Sequence, residues 1–426
     1  MIDLPLAPQP AAAGAAHSLA FPILVMLIIG LQFSPMIGLL GFQLTQDTAW
    51  SLIGGLRDVA VVLLAGIAVM GVGQRQALPV SARWALLTLG VYAVFALASG
   101  NGLVVLALNI RRMGLMPLLF VAVLAMPWTA AQIDRLFALL VSTSVVVCLL
   151  GIAERLAPQT LWSDVLDVTS FTTANGLDRF GKIAFQDSGR FFSWDLQSWT
   201  GGPLRRMVST YLEPTTLAAA MAMLLVVALA RRARGHHALG LIVLALLCGA
   251  ATLSKGFVLF LGVLLAWRGV GLPSPRHVMA LSLAVLGAAW AAANLELGGV
   301  LLHAEGLASS LQYLANGNLL GEGIGGAGNY TDTGNNLGEE SGLGNLIAQV
   351  GIAGVLPLAW VSVTAREMLA TAARRHDPGG SWLAAWLVFW ALSFLLSASS
   401  LGVGGNALGF IAMALYLHPA SEPAAS

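Results

Sequence analysis

The sequence predicts an all-α, polytopic integral membrane protein with about twelve transmembrane helices. Three observations carry that prediction. Of the 426 residues, 58% are hydrophobic and 10% charged, against roughly 25% charged in a typical globular domain. The apolar residues come in blocks long enough to cross a bilayer, which takes about 20 residues per helix. Within lipid every backbone polar group must pair inside its own segment, and an open chain can do this only as helix. The alternation of an outer-membrane barrel strand is absent.

In chain order the apolar blocks run at 19–41, 51–72, 84–99, 108–127, 134–153, 211–230, 238–253, 256–271, 278–297, 343–364, 381–398 and 403–418. Two divisions decide this number. The apolar stretch from 241 to 267 breaks at Thr252-Leu253-Ser254-Lys255-Gly256, and the last block stands apart from its neighbour. Residues 1–426 therefore read as a single transmembrane domain. The first twenty residues carry no Lys or Arg, so they do not read as a signal peptide.

Cations set the orientation, because Lys and Arg in short connections stay on the cytoplasmic side. Arg75 with Arg83, Arg231 with Arg232 and Arg234, Arg268 with Arg276, and Arg366 with Arg374 and Arg375 form four groups. Twelve spans with both termini cytoplasmic put all four groups inside. Two long loops then lie outside. Residues 154–210 are mixed in charge and aromatic-rich, and residues 298–342 are Gly/Asn-rich and acidic. No Lys or Arg occurs between Arg276 and Arg366. Connections of this length are functional or disordered. The net charge of +1 gives no bulk attraction to nucleic acid, and Cys148 and Cys248 both lie inside apolar blocks.

Four outer constellations could carry chemistry. Arg205-Arg206 precede Ser209, Tyr211 and Glu213 at the entry to a helix. Adjacent guanidiniums there can fork onto phosphate oxygens, or can snorkel to lipid headgroups. Lys255 sits in a minimal turn between two apolar helices, on the side that the cation bias disfavours, which points to ion pairing or substrate binding. Gly321-Glu322-Gly323-Ile324-Gly325-Gly326-Ala327-Gly328 leads to Glu339-Glu340-Ser341 at the mouth of the next helix. The GxGxxG within it follows no strand and opens no βαβ unit, so it is not a dinucleotide site. The carboxylates also suit a helix N-terminus electrostatically. Arg111-Arg112 and Arg57-Asp58 lie near the outer ends of the fourth and second spans, where they could line a shared cavity. No Ser-His-Asp set and no metal-ligand spacing is present. His303 is the one histidine in an outer loop.

Three segments occur in a telling order: RMVSTYLEPTTLA, then TLSKG, then GEGIGG followed by GEESGLGNLIAQVGIAGVLPL. Over about 205–357 the chain resembles the O-antigen polymerase and ligase (Wzy-like) superfamily of bacterial envelopes. The resemblance implies a bacterial inner-membrane enzyme with two periplasmic loops. Arg206 takes the family arginine before the small-residue helix. Lys255 takes the place of a Ser-Arg arginine, keeping the charge and losing the fork. Glu340-Ser341 stands where the ligases show His-Asn, which favours capsular or exopolysaccharide polymerases over glycan ligases. A secondary transporter or flippase of lipid-linked oligosaccharide is the rival class, but half-to-half similarity and charges deep in helices are not evident.

The implied reaction uses no cofactor and no metal. A growing glycan on undecaprenyl pyrophosphate is the donor, and a lipid-linked repeat unit is the acceptor. Membrane lipid surrounds the site, and flippase and chain-length or export proteins are the implied partners. Arg206 and Lys255 would stabilise the departing pyrophosphate. Glu340 would take the acceptor proton, and Arg205, Glu339, Arg111, Arg112 and Tyr211 would bind substrate.

Overall fold

The apolar blocks among the described residues fold as helices. The computed structural model describes residues 11–47, 49–50, 53–72, 78–174, 191–193, 200–270, 299–328, 331 and 334–419. In the first half run α1 (Ala11–Thr45), α2 (Ile53–Val72), α3 (Val80–Ala98), α4 (Leu103–Ala125) and α5 (Ala130–Leu156). In the second run α7 (Pro214–Ala233), α8 (Leu239–Ala251), α9 (Lys255–Val270), α11 (Gly342–Val350), α12 (Leu356–Arg374), α13 (Pro378–Leu396) and α14 (Val403–Leu417). Seven helical stretches among the described residues are long and apolar enough to cross a membrane, and α8 and α14 are shorter apolar helices. The chain is an all-α, multi-pass membrane protein. The apolar block at 278–297 lies outside the described residues.

Helix also occupies parts of the two segments read as loops. A π-helical turn (Leu161–Val165) and α6 (Val168–Ala174) lie in the first, with an antiparallel pair of two-residue strands, β1 (Phe192–Ser193) and β2 (Leu204–Arg205). In the second, α10 (Gly299–Ala315) carries His303. Leu307, Ser310 and Leu314 turn inward while Glu305 and Leu311 face out. That i, i+3, i+7 stripe is an amphipathic surface helix, which a search for long apolar blocks does not register.

α7 is the central helix. The α7 residues Leu217 through Ala228 are all buried, and α8, α13 and α14 pack around it. In lipid such packing rests on close van der Waals approach and small residues. Gly405 of α14 illustrates it, since a Cβ there would collide with the Thr216 carbonyl and the Ala220 amide of α7. Aromatic rings fill the centre. Phe410 stacks on Trp360 at 4.9 Å and meets Trp386 and Trp390 edge-on at 5.5 and 5.4 Å.

The two ends of the bundle differ in charge. At one end Arg234, closing α7, forks onto Asp377, which caps α13, at 2.8 and 2.6 Å. Burial raises the Asp377 carboxyl, but the hydrogen bond and charge of Arg234 outweigh it, so the group lies below its usual range. Glu367 of α12 accepts the Val80 and Ser81 amides that open α3, at 2.8 and 3.2 Å. Arg375 reaches the Tyr416 carbonyl at 2.8 Å, and the His418 ring meets the Met126 carbonyl at 2.7 Å. The arginine groups around 83, 231–234, 268 and 374–375 share this basic end. The opposite end holds the starts of α4, α7, α9, α11 and α14 and the end of α13.

Candidate functional site

Two of the sequence constellations meet at the opposite end. The strand residue Arg205 leads into Arg206 and Met207, and this strip docks on the turn that joins α8 to α9. Arg206 Nε donates to the Thr252 carbonyl at 2.9 Å, and the Met207 amide donates to the Ala251 carbonyl at 2.9 Å. Three residues after Thr252, exposed Lys255 opens α9. Leu253 in this turn has a positive φ of 50°, a left-handed step that reverses the chain within three residues and stops α8 from running on into α9. Arg206 is half-buried and its amide is tied to the Phe191 carbonyl at 2.7 Å. The guanidinium is thereby positioned by three segments: β1, β2 and the α8–α9 turn.

Arg205, expected to bind substrate, lies against the end of α5. Its terminal nitrogens donate to the Ala157 and Glu154 carbonyls at 2.9 and 2.8 Å, satisfying two open carbonyls at the end of α5. One of them also lies 3.6 Å from the Glu154 carboxylate. Burial holds this guanidinium below its ordinary value, against the opposing pull of Glu154. Glu154 itself was not singled out from sequence. Its Oε2 accepts the Val208 and Ser209 amides at 3.1 and 2.8 Å, so one carboxylate pins the whole strip that follows Arg206. Ser209 and Thr210 add bonds to the Val147 and Gln32 carbonyls at 2.7 and 2.6 Å. Tyr211 ends this turn with its side chain 3% exposed, inside the bundle and not at the outer surface.

The acidic constellation is built around the start of α11. Ser341 is the N-cap: its hydroxyl accepts the Gly344 amide at 2.9 Å and donates to the Leu395 carbonyl at 2.7 Å. The capping that a carboxylate could have supplied belongs to this serine, and Glu340 is exposed just ahead of it. The Ala398 amide donates to the Glu340 carbonyl at 3.0 Å, and Arg112 donates to the Ala398 carbonyl at 3.0 Å. Arg112 and Glu340 are thus joined through one residue of the α13–α14 link. Glu339 is half-buried beside them. Gly306 of α10 lies against the backbone of Glu340 and Ser341, which brings the helix bearing Glu305 onto the same edge.

The glycine loop is held by polar groups buried among apolar helices. Glu322 and Gly323 donate backbone amides to the Ala348 and Gln349 carbonyls at 2.8 and 2.9 Å. Gln349 Oε1 accepts the Gly325 amide at 2.8 Å, while its Nε2 donates to Asn345 at 2.7 Å and Asn109 at 3.1 Å. The Ile324 carbonyl accepts from Ser99 and Asn101 at 2.9 and 2.8 Å. This clasp joins the loop to α4 and α11. Its signal in the sequence is the presence of Asn109, Asn345 and Gln349 inside otherwise apolar blocks. Outside the clasp, Tyr313 donates to Glu322, and that bond pushes its phenol up to about 12.

Arg111 pairs with Asp58 at 2.5 Å, and Asp58 also meets Arg57 at 3.4 Å. Three members of the fourth constellation, Arg57, Asp58 and Arg111, therefore form one cluster between α2 and α4, while Arg112 turns to the α13–α14 link. Among the described residues no group of three or more His, Cys, Asp or Glu side chains could hold a metal ion. A comparison of the chain with protein-family models, curated proteins and solved structures finds no match.

Proposed function

We propose that this chain is a polysaccharide polymerase of the Wzy-like kind, a metal-independent glycosyltransferase in the bacterial inner membrane. In this reading about twelve spans cross the membrane, both termini are cytoplasmic, and the basic end of the bundle is the cytoplasmic one. The observation that carries the proposal is the docking of Arg206 on the α8–α9 turn, which gathers it with Lys255 at the end of the bundle that also bears Glu340. Cations and a carboxylate on one membrane face suit transfer between two lipid-linked sugars.

In the proposed reaction an acceptor hydroxyl oxygen bonds to the anomeric carbon of the donor glycan. The bond from that carbon to the pyrophosphate oxygen breaks, and its electron pair leaves with the undecaprenyl pyrophosphate. Arg206 and Lys255 would face the charge that develops there, as fixed cations placed to stabilise it. The acceptor proton would pass to Glu340. The role of Ser341 supports this assignment: with the helix capped by serine, the exposed carboxylate beside it is not needed for capping. Arg112, tied to the same link as Glu340, would flank the acceptor. Flippase and chain-length or export proteins would act before and after this step.

Profiling lipid-linked oligosaccharides in a deletion strain tests the reading. Accumulated single repeat units are expected. Long chains retained on the lipid carrier would indicate a ligase instead, and repeat units confined to the cytoplasmic leaflet would indicate a flippase.

A further inference from the structure

The link between α7 and α8 leaves an open cavity at the basic end of the bundle. Gly235, with a φ of 82°, reverses the chain there. The Gly235 and His236 amides donate to the Arg232 and Arg231 carbonyls, each at 3.0 Å, which fixes the turn. The cavity measures about 750 Å³ and is lined by Arg232 and residues 235–241, a size in the range of small-ligand sites. None of the lining side chains is acidic. Those of Arg232, His236 and His237 are exposed and have no hydrogen-bond or ion-pair partner among the described residues. Asp377 is already held by the fork of Arg234 at 2.8 and 2.6 Å, so its charge is matched. The apolar side of the cavity continues along α8. Leu239 lines the cavity, and Leu239, Val243 and Leu247 are exposed at i, i+4 and i+8, a spacing that puts them on one face of the helix. The cationic wall and the apolar track therefore meet at Leu239.

We propose that this cavity holds the headgroup of an anionic glycerophospholipid of the bilayer, with one acyl chain running along Leu239, Val243 and Leu247. The planar fork of Arg232 matches phosphate oxygens, and the ring N–H groups of His236 and His237 donate to phosphate or glycerol oxygens. Basic pockets beside transmembrane helices are suited to anionic headgroups. The direction also fits. α8 runs from the basic end into the bundle, so a lipid with its headgroup at Leu239 points its tail toward the bilayer centre. A zwitterionic lipid brings the same phosphate and tails, but its ammonium is opposed by Arg232. The inference does not depend on the polymerase reading.

Native mass spectrometry of the purified full chain tests it. Phosphatidylglycerol and phosphatidylcholine with identical chains are offered at equal concentration, and glycerol phosphate is offered separately. Phosphatidylglycerol should be retained about 5-fold or more over phosphatidylcholine, the value of one basic residue near an anionic surface. Arg232→Gln should remove that preference, and the double variant His236→Gln, His237→Gln should weaken phosphatidylglycerol independently. Arg268→Gln is the control: Arg268 is exposed in the last turn of α9 at the same end but does not line the cavity, and its loss should change nothing. All four substituted side chains are exposed, so the variants keep the packed core intact. Equal retention of the two lipids by the native chain would overturn the site. An Arg268→Gln loss as large as that of Arg232→Gln would overturn it too, by showing diffuse attraction to the basic end. Glycerol phosphate binding as tightly as phosphatidylglycerol would overturn the lipid assignment and leave a small-anion site.

Discussion

Replacing Gln349 by Leu tests whether the buried clasp holds the glycine loop. The substitution keeps the side chain similar in size but deletes both polar atoms. It removes the acceptor of the Gly325 amide at 2.8 Å and the donor to Asn345 at 2.7 Å and Asn109 at 3.1 Å. Backbone bonds from Glu322 and Gly323 to α11 remain, so the loop is weakened and not released. Interhelical hydrogen bonds in membranes average about 0.6 kcal/mol with a maximum near 1.7. Three such bonds put the expected loss at about 2–5 kcal/mol. Equilibrium unfolding in mixed micelles, titrated with sodium dodecyl sulfate, measures it. Ser362→Ala is the control: its exposed hydroxyl only back-bonds to the Leu358 carbonyl in the same helix, and the change should stay within about 0.5 kcal/mol. A Gln349→Leu loss no larger than that of the control would mean that the clasp contributes nothing and that the loop is held by its backbone alone.

Four further outcomes follow from the same geometry. Arg206→Ala should nearly abolish polymer formation with the protein still inserted, and Arg206→Lys should restore only part, because one ammonium cannot both bond Thr252 and present a fork; full activity in Arg206→Ala would make Arg206 a lipid anchor. Glu340→Gln should lower the yield of polymer from purified lipid-linked repeat units about 10²–10⁴-fold with little change in stability, and Glu339→Gln much less; the reverse order would move the role to Glu339. The Asp377 carboxyl lies below its usual range in the fold, so its contribution to stability is present above about pH 4 and is lost as pH falls through the native value. Unfolding of Asp377→Asn followed from pH 6 to pH 3 should lack that loss, and an unchanged pH profile would contradict the ion pair. Finally, a cysteine at Asn335 should react with an impermeant maleimide in spheroplasts and one at Gly235 should not; the opposite pattern would invert the topology.

Much of the fold is legible because lipid leaves the chain so little choice. Apolar blocks of the right length must be helices, and the helices found at 53–72, 80–98, 103–125 and 378–396 lie where the composition changes. The break at 252–256 is also legible, since Lys255 cannot sit in the middle of an apolar span without strong cost. The helix at 299–315 is not legible from that logic. Its signal is a narrow stripe of three inward residues, and it lies in a segment whose remainder is rich in Gly and Asn. Nor could sequence separate Ser341 from Glu340 as the cap of α11, because both residue types suit a helix start and only the direction of the side chains distinguishes them.

The sequence by itself determined a multi-pass helical membrane protein, the approximate places of its long apolar helices, and the charged groups set near one end. What the tertiary structure alone decided is which of those groups face one another. Arg205 and Arg206 are neighbours with the same charge, yet one caps α5 against Glu154 while the other reaches across to Thr252. Successive residues on an extended strand point to opposite sides, and the partner on each side comes from segments about fifty residues away along the chain. Local propensity carries no information about that pairing, because the free energy that selects it comes from buried carbonyls and carboxylates that must find a donor once the helices have packed.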